Sequence, residues 1–322
     1  MPPLLDVQEL TVEYFTLKGQ VKAVTGVNFS LERGATLGLV GESACGKSTL
    51  GFSILRLVPP PGRIVAGKID LEGVNLLNVP LEAMRRIRGS QVSMIFQDPM
   101  TSLNPLMRIR DHFVELFQTH DPSIKREEAV SRTIKLLDSL GIGGDRIDDY
   151  PHQFSGGMRQ RVMIGLALAL EPKLVIADEP TTSLDVIVEA QVLELLKQLR
   201  EKHRLTLILI THNIGIVAEM ADLVAVMYAG QIAEIGPTED MYGDPLHPYT
   251  KGLLESAPNV LHPEHSMRPI PGTPPDLVSP PSGCKFHPRC PKVFEPCPLR
   301  EPLPIHQGSR LVACHLYDQV DH

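Results

Sequence analysis

The chain of 322 residues lacks any hydrophobic run long enough to cross a bilayer. Its longest uninterrupted apolar stretch, residues 162–170, lies between Arg161 and Glu171, whereas a membrane-spanning helix needs about 20 apolar residues. The first residues include Asp6 and Glu9 and show neither a basic start nor an apolar stretch, so we expect no secretory signal. These absences predict a cytoplasmic protein.

An excess of positive charge is also absent. The chain has 31 Lys and Arg against 38 Asp and Glu, a formal net charge of −7. Proteins that bind nucleic acid are usually basic because they neutralise phosphates, so this balance argues against a nucleic-acid partner. With 43% hydrophobic and 21% charged residues, the composition is typical of a folded globular protein of one large or two modest domains.

The most informative motif is the string GESACGKS at residues 41–48. It fits the pattern G-x-x-x-x-G-K-S, in which loop N–H groups cradle phosphates, Lys47 reaches the β and γ oxygens, and Ser48 can ligate Mg²⁺. Residues 36–40 predict a buried strand before it, and residues 49–57 an apolar-rich helix after it. A chance match is the alternative, but chance matches rarely have this context. The nucleotide-binding candidates in this segment are Gly41, Ser43, Cys45, Gly46, Lys47, Ser48 and Thr49.

A second motif is the apolar run LVIADE at residues 174–179, which ends in two carboxylates. Parallel strands buried on both faces read as continuous apolar runs, and ligands bind at their carboxyl ends. Asp178 is therefore a candidate Mg²⁺ ligand, and Glu179 could polarise a water for attack on a γ-phosphate. Alone, the pattern would indicate an acidic strand end facing solvent. The phosphate-loop motif in the same chain favours catalysis.

Further candidates lie between and after these motifs. Gln97 follows a predicted strand at residues 92–96, and Ser155 with Gly156 and Gly157 precedes a predicted helix that reaches about Leu170. Such a helix start can bind an anion, although in isolation it is more often a plain N-cap. The series ends with the string SLD at residues 183–185 and with His212. Between them the sequence predicts a helix at 186–202 and a strand at 205–210.

The order of these motifs resembles the nucleotide-binding subunit of an ATP-binding cassette (ABC) transporter. The resemblance implies an α/β P-loop ATPase core with an antiparallel β subdomain, an inserted α-helical subdomain at about residues 98–170 and a C-terminal appendage. It also implies that Tyr14 stacks on adenine, that Gln97 senses Mg²⁺ and the membrane partner, and that His212 contacts the γ-phosphate. Residues 155–157 and Asp185 would serve nucleotide between two subunits closed head to tail around two ATP molecules.

Flanking segments are similar to the oligopeptide and dipeptide importers; they are residues 96–105, 150–153, 247–254, and 283–284 with 287–291. That resemblance implies a second, different ATPase subunit, two permease subunits and an extracytoplasmic solute-binding protein. The chain would then lie peripherally on the cytoplasmic face of the membrane. Nickel importers are close relatives, so nickel or another small solute is an alternative cargo.

Two positions depart from the pattern of this subfamily. Position 44 is Ala where Gly is usual, and Asn213 follows His212 where Asp is usual. If position 44 requires a positive φ, Ala there costs about 1 kcal/mol of local strain. We expect altered loop geometry with nucleotide binding retained.

An ABC ATPase of DNA repair is an alternative from another class, because it shares the core motifs. Such proteins usually insert long coiled coils or zinc modules between the segments that correspond to residues 41–48 and 174–179. Here only residues 98–153 separate Gln97 from Phe154, and they carry no heptads. Soluble translation-type ABC proteins usually join two cassettes in one chain, and this chain has one phosphate-loop motif.

The C-terminal part has an unusual composition. Residues 245–304 hold 16 of the 29 prolines, which disfavours long helices and central strands. We place the ATPase domain at residues 1–255 and the extension at 256–322. Four of the five cysteines lie in the extension with the spacing C-x5-C-x6-C-x16-C: Cys284, Cys290, Cys297 and Cys314.

Four cysteines in a cytoplasmic protein suggest metal, because reducing compartments disfavour disulfides. The C-x2-C pair typical of a zinc ribbon is missing, and the family resemblance implies a [4Fe-4S] cluster held by the four thiolates. Zn²⁺, a mixed Cys/His site that uses His287 or His315, and unliganded thiols remain open alternatives.

Overall fold

A computed structural model describes residues 2–182, 184–256 and 269–318, apart from the side chains of Met100, Thr101 and His203. The chain divides into two compact units. The first unit comprises Met1–Asn78 and Leu209–His322, and the second comprises Val79–Ile208. The proposed boundary between residues 255 and 256 lies at the edge of a segment, 257–268, that is outside the described residues.

The strands, in chain order, are β1 (Leu5–Thr16), β2 (Gly19–Leu31), β3 (Thr36–Val40), β4 (Gly62–Leu71), β5 (Val74–Asn75), β6 (Val92–Ile95), β7 (Leu174–Asp178), β8 (Thr206–Ile210), β9 (Leu223–Tyr228), β10 (Gln231–Pro237), β11 (Ile305–Gln307) and β12 (Arg310–Val312).

The α-helices are α1 (Lys47–Ile54), α2 (Leu81–Ser90), α3 (Pro99–Ser102), α4 (Ile109–His120), α5 (Arg126–Ser139), α6 (Gly156–Leu168), α7 (Val186–His203), α8 (Ile214–Met220), α9 (Thr238–Gly243), α10 (Pro248–Ser256) and α11 (Pro296–Leu299). Short 3-10 turns lie at Gly144–Asp148, Pro151–Gln153, His287–Arg289 and His315–Tyr317.

The first unit contains a four-stranded antiparallel sheet in the order β2-β1-β4-β5. Its central strand β1 places Leu5 opposite Leu31 of β2 and Leu71 of β4. All three leucines are buried, because the alternation of the strands turns one side of each toward the core. The far end of β1 carries Tyr14, whose predicted role concerns the nucleotide.

The phosphate-loop motif follows β3, which pairs in parallel with β9. Strand β10 continues antiparallel to β9, and β12 and β11 follow at the edge. Every residue of β3 is buried, which agrees with the predicted strand at 36–40 and with its continuous apolar sequence. Its carboxyl end at Val40 leads directly into residues 41–46.

Residues of the C-terminal part help to build the core of the first unit. The ring of Phe286 lies 5.2 Å from that of Tyr228 and 5.3 Å from that of Tyr249, centroid to centroid. Tyr249, on α10, is fully buried. The elements around these rings are short: α10 has nine residues and β12 has three, as the density of prolines predicts. The segment is thus packed against the core of the first unit through aromatic contacts.

In the second unit β6 and β7 run parallel, with Val92 opposite Leu174. The helices of this unit enclose a separate apolar cluster that includes Phe113, Phe117 and Phe154. Helix α6 ends at Leu168, two residues earlier than expected. The helical content of residues 98–170 is therefore supported by its own core.

The start of α5 differs from expectation. A pattern of Ser123 followed by Glu127 and Glu128 predicts a helix capped by Ser123. In the structure α5 begins at Arg126 and its N-cap position is Lys125. Ser123 instead directs both its N–H and its hydroxyl to the carboxylate of Asp121, at 3.0 and 2.5 Å. The local turn between Asp121 and Ser123 forms in place of the helix cap, since Asp and Ser readily form such turns.

Of the helices in the described residues, none combines the length and the apolar character needed to span a membrane.

Candidate nucleotide site

The loop after β3 approaches neighbouring backbone so closely that two positions have no room for a side chain. At Gly46, with φ +107°, a Cβ would lie 2.1 Å from the carbonyl oxygen of Ala23. At Gly41 it would lie 2.2 Å from the carbonyl oxygen of Met227. The glycines of the motif are therefore required by packing as well as by backbone conformation.

Lys47 is buried beneath this loop, with 6% of its surface exposed. Its Nζ donates hydrogen bonds to the carbonyl oxygens of Gly41 and Glu42, at 2.8 and 2.9 Å. The ammonium is thus held by partial charges of the loop itself. Helix α1 begins at Lys47 rather than at residue 49, and ends at Ile54 rather than at 57.

Position 44 has φ +61°, the left-handed conformation that Ala disfavours. The premise of the strain argument is therefore confirmed. Ser43 and Ala44 are exposed, whereas Cys45 is buried with its Sγ 3.7 Å from Lys47 Nζ. Burial raises the pKa of the Cys45 thiol, an effect that the Lys47 ammonium opposes.

Tyr14 is tied to the first turn of α1. Its hydroxyl lies 3.3 Å from Thr49 Oγ1, and a Cβ on Gly62 would lie 2.6 Å from its ring. The ring is therefore fixed next to the helix that follows the phosphate loop. Its predicted stacking on adenine stays a prediction.

His212 is exposed at the end of the segment that follows β8. The preceding Thr211 donates its N–H to the carbonyl oxygen of Leu39, at 3.3 Å. Asn213 caps α8 by accepting the N–H groups of Gly215 and Ile216, at 3.0 and 3.4 Å. Asn and Asp are equally good at this position, so the departure at 213 preserves the cap.

In the second unit the two carboxylates at the end of β7 have different surroundings. Asp178 is buried, with 3% exposure. Glu179 has φ +45°, and its Oε2 accepts hydrogen bonds from Gln97 Nε2 at 3.0 Å and from Thr182 Oγ1 at 2.8 Å. The structure thus brings Gln97 and Glu179 together, in a strained backbone conformation of the kind found at active sites.

Ser155 and Asp185 both serve as N-caps. Ser155 Oγ accepts the N–H of Met158 at 3.3 Å, and Asp185 Oδ1 accepts the N–H groups of Ile187 and Val188 at 3.1 and 3.0 Å. A Cβ on Gly157 would lie 2.4 Å from Val188 Cγ1, so glycine lets α6 and α7 pack closely. Ser183 lies outside the described residues.

The four cysteines of the extension line a single pocket together with His287 and His315. All are free thiols. Burial raises the pKa values of Cys284 and Cys290, and it raises that of Cys314 to about 12. Within the described ranges, however, no group of three or more His, Cys, Asp or Glu side chains is arranged to hold a metal ion.

Of the two histidines, His315 has both ring nitrogens engaged. Nδ1 lies 2.7 Å from Asp318 Oδ2, and Nε2 lies 2.7 Å from the carbonyl oxygen of Arg300. His287 Nδ1 lies 2.9 Å from the carbonyl oxygen of Cys284. These contacts disfavour His315 as a ligand in a mixed Cys/His site.

Sequence reasoning missed two residues, one that contacts the candidate Glu179 and one that contacts the phosphate loop. Thr182 lies three positions after Glu179, so its hydroxyl could have been predicted from the sequence as a hydrogen-bond donor to the Glu179 carboxylate. Tyr249, whose hydroxyl accepts the N–H of Glu42 at 2.9 Å, is 207 positions away from it and gives no local signal.

Two descriptions of known protein families match parts of this chain. The description "ABC transporter" matches residues 24–182, and "Oligopeptide/dipeptide transporter, C-terminal region" matches residues 233–297. The dipeptide transport ATP-binding protein DppD of Bacillus subtilis is 47% identical over 99% of this chain and 96% of its own length. The chain belongs to the ABC transporter ATP-binding proteins. Its activity is therefore ATP hydrolysis coupled to transport.

Another similar protein is the oligopeptide transport ATP-binding protein OppD of Salmonella typhimurium, 45% identical over 97% of this chain and 93% of its own length. Among solved structures, cbiO1 of Clostridium perfringens superposes with a TM-score of 0.64, is 27% identical and covers 76% of this chain and 92% of its own. A dimeric ATP-binding cassette with bound ADP and phosphate has a TM-score of 0.65 at 24% identity, covering 73% and 98%. These likenesses confirm the α/β fold of an ABC ATPase.

The strain at position 44 predicts that Ala44→Gly stabilises the protein. Glycine removes the strain of the left-handed conformation, which stabilises the folded state by about 1–2 kcal/mol. It also adds conformational freedom to the unfolded chain, which lowers the stability by about 0.4–1 kcal/mol. We expect a net gain of roughly 0.5–1 kcal/mol in the free energy of unfolding, measured by denaturant titration. Ala190→Gly, on the exposed side of α7, is the control and should lose about 1 kcal/mol. A loss of stability in Ala44→Gly would contradict the assigned strain.

Proposed function

We propose that this chain is an ATPase subunit of an importer for dipeptides or oligopeptides. The observation that carries the proposal is the combination of ATPase motifs with the C-terminal region at residues 233–297, whose description names oligopeptide and dipeptide transporters. Both curated relatives named above carry peptide transport in their names. The alternative cargo, nickel or another small solute, would use the same ATPase chemistry.

In this proposal the phosphate loop binds ATP as Mg·ATP. Lys47 would give up its hydrogen bonds to the loop carbonyl oxygens and bind the β- and γ-phosphate oxygens instead. The phosphate oxygens are charged, so they are stronger acceptors than the carbonyl oxygens. Ser48, Gln97 and the buried carboxylate of Asp178 are the residues that would hold Mg²⁺, because oxygen atoms of hydroxyl, amide and carboxylate groups are its preferred ligands. Bound Mg²⁺ neutralises charge that develops on the phosphate oxygens.

Glu179 is the proposed general base. Its carboxylate would accept a proton from the water that attacks the γ-phosphate. The hydrogen bonds from Gln97 and Thr182 fix the orientation of this carboxylate before the nucleotide arrives. Tyr14 would stack on adenine, and His212 would contact the γ-phosphate. Gln97 would report the state of the site to the membrane partner.

Residues 155–157 and Asp185 would bind the nucleotide held by a second ATPase subunit, head to tail. Two observations support a partner at this surface. Ser155 and Asp185 are both exposed helix N-caps. Next to Asp185, the adjacent apolar side chains of Val186 and Ile187 are 80% and 72% exposed and offer apolar surface that a partner would cover. The second subunit is proposed to be a different chain.

The helical segment at residues 98–170 is the proposed contact with two permease subunits. Leu106, in the loop between α3 and α4, is 85% exposed and could enter an apolar groove. An extracytoplasmic solute-binding protein would deliver the cargo. The chain itself would be peripheral, on the cytoplasmic face of the membrane.

We further propose that Cys284, Cys290, Cys297 and Cys314 bind a [4Fe-4S] cluster. Support comes from their convergence on one pocket as free thiols. A cluster would relieve the cost of burying these thiols, because metal binding requires and stabilises the thiolate form. Zn²⁺ is the alternative, although a single ion requires its ligands closer together than a cluster with several irons does.

Glu179→Gln in the assembled transporter tests the function. The variant should bind ATP normally yet hydrolyse it about 10²- to 10⁴-fold more slowly, the range expected for loss of a general base. Proteoliposomes with the permeases and the binding protein should take up a labelled dipeptide with wild-type protein and lose that uptake with the variant. Near-normal hydrolysis by Glu179→Gln would contradict the role of Glu179. Uptake of nickel in place of peptide would identify the alternative cargo.

The cysteine pocket predicts iron. Protein purified without oxygen should be brown, with broad absorbance near about 400 nm and about four irons per chain. Replacement of Cys290 or Cys297 by Ser should bleach it, whereas Cys45→Ser, in the phosphate loop, should keep the colour. Colourless anaerobic protein with one zinc or no metal by elemental analysis would end the cluster hypothesis.

A further inference from the structure

Glu42, the second residue of the phosphate loop, is bound through all three of its polar groups. Its carbonyl oxygen accepts a hydrogen bond from Lys47 Nζ at 2.9 Å, and its N–H donates to Tyr249 Oη at 2.9 Å. Its carboxylate forms a two-pronged ion pair with Arg289, with Nη1–Oε2 at 2.6 Å and Nη2–Oε1 at 2.9 Å. No position of the motif pattern requires Glu here, since residue 42 is one of its variable positions.

Arg289 is held equally firmly on its own side. Its side chain is 6% exposed, its Nε donates to the carbonyl oxygen of Pro271 at 2.8 Å, and Nη1 lies 3.3 Å from Tyr228 Oη. The guanidinium therefore joins three elements: the extension, β9 and the phosphate loop. A planar fork of this kind cannot be replaced by a Lys ammonium without loss of geometry.

The backbone of Arg289 belongs to the turn that carries two of the four cysteines. His287 N–H donates to the carbonyl oxygen of Cys284 at 3.0 Å, and Cys290 N–H donates to that of His287 at 3.3 Å. Arg289 is the residue immediately before Cys290. A change in the conformation of this turn would consequently move the guanidinium that holds Glu42.

We propose that Arg289 is a positioning residue for ATP binding, which holds the phosphate loop through Glu42 and connects it to the cysteine-bearing turn. Arg289 acts through Glu42 and does not touch the nucleotide. With the ion pair intact, the carbonyl groups that receive Lys47 stay in place and the loop is ready for phosphate. With one partner removed, the other charge is left poorly paired and the loop relaxes around it.

A double-mutant cycle on the full chain tests the proposal. Binding of Mg·ATP is titrated for Arg289→Gln, Glu42→Gln and the double variant. Each single variant should raise the Kd about tenfold, and the double variant should raise it no more than either single one, because both remove the same interaction. Arg310→Gln is the matched control: Arg310 is also mostly buried in the extension, but its partner is Asp244. This variant should leave the Kd unchanged.

The reversed pair Glu42→Arg with Arg289→Glu separates positioning from general stability. It should bind Mg·ATP more tightly than either single reversal, because the ion pair is restored with its direction inverted. Thermal unfolding is followed for every variant. Additive losses in the cycle, no gain in the reversed pair, or an unchanged Kd in folded Arg289→Gln would each overturn the proposal.

The connection to the cysteines is tested in the same assay. Cys290→Ser should weaken binding of Mg·ATP in the wild-type background and have little further effect in the Arg289→Gln background. An equal effect in both backgrounds would show that Arg289 does not carry the coupling. The cycle between Glu42 and Arg289 does not depend on the cargo or on the identity of any metal, so its failure is distinguishable from failure of the proposed function.

Discussion

The close approach of the phosphate loop to neighbouring backbone is the constraint on which the rest of this structure depends. Side-chain atoms are excluded at Gly41 and Gly46 by the carbonyl oxygens of Met227 and Ala23. Lys47 lies buried underneath, with its ammonium on loop carbonyls. Strand β3, Met227 of β9 and Ala23 of β2 are therefore needed to shape the loop, which is the proposed binding element for ATP.

Several residues that stand out in the sequence also have structural roles, and the two roles are compatible. Ser155, Asp185 and Asn213 each cap a helix. A cap leaves other N–H groups of the first turn available, so the same position can order a helix and present it to an anion. Glu179 differs, because its hydrogen bonds to Gln97 and Thr182 and its positive φ serve no helix or strand.

The sequence predicted the parts of the fold that follow from local patterns. Continuous apolar runs located β3 and β7, whose residues are all buried. Gly141, with φ +72°, ends α5 as expected for a glycine after a helix. The predicted start of α5 was wrong because the side chain of Ser123 binds Asp121 and does not cap the helix. Both arrangements are local hydrogen bonds, and the sequence pattern alone does not decide between them.

Contacts between residues far apart in the chain could not be predicted from the sequence, for a different reason. The ion pair between Glu42 and Arg289 joins positions 247 residues apart, and neither belongs to a periodic pattern. Sequence reasoning treated the proline-rich extension as a separate functional question. Phe286 lies in the core of the first unit, and Arg289 contacts the phosphate loop, so the extension is part of that unit.

The most direct test of the account is Mg·ATP binding by the full chain with Lys47→Ala. No other residue of the 41–48 loop supplies a positive side-chain charge, so the account predicts that saturable binding is lost while the variant stays folded. Lys68→Ala, which removes an ion pair to Asp70 on β4, is the control and should bind normally. Wild-type affinity in Lys47→Ala would contradict the assignment of residues 41–48 as the site of ATP binding.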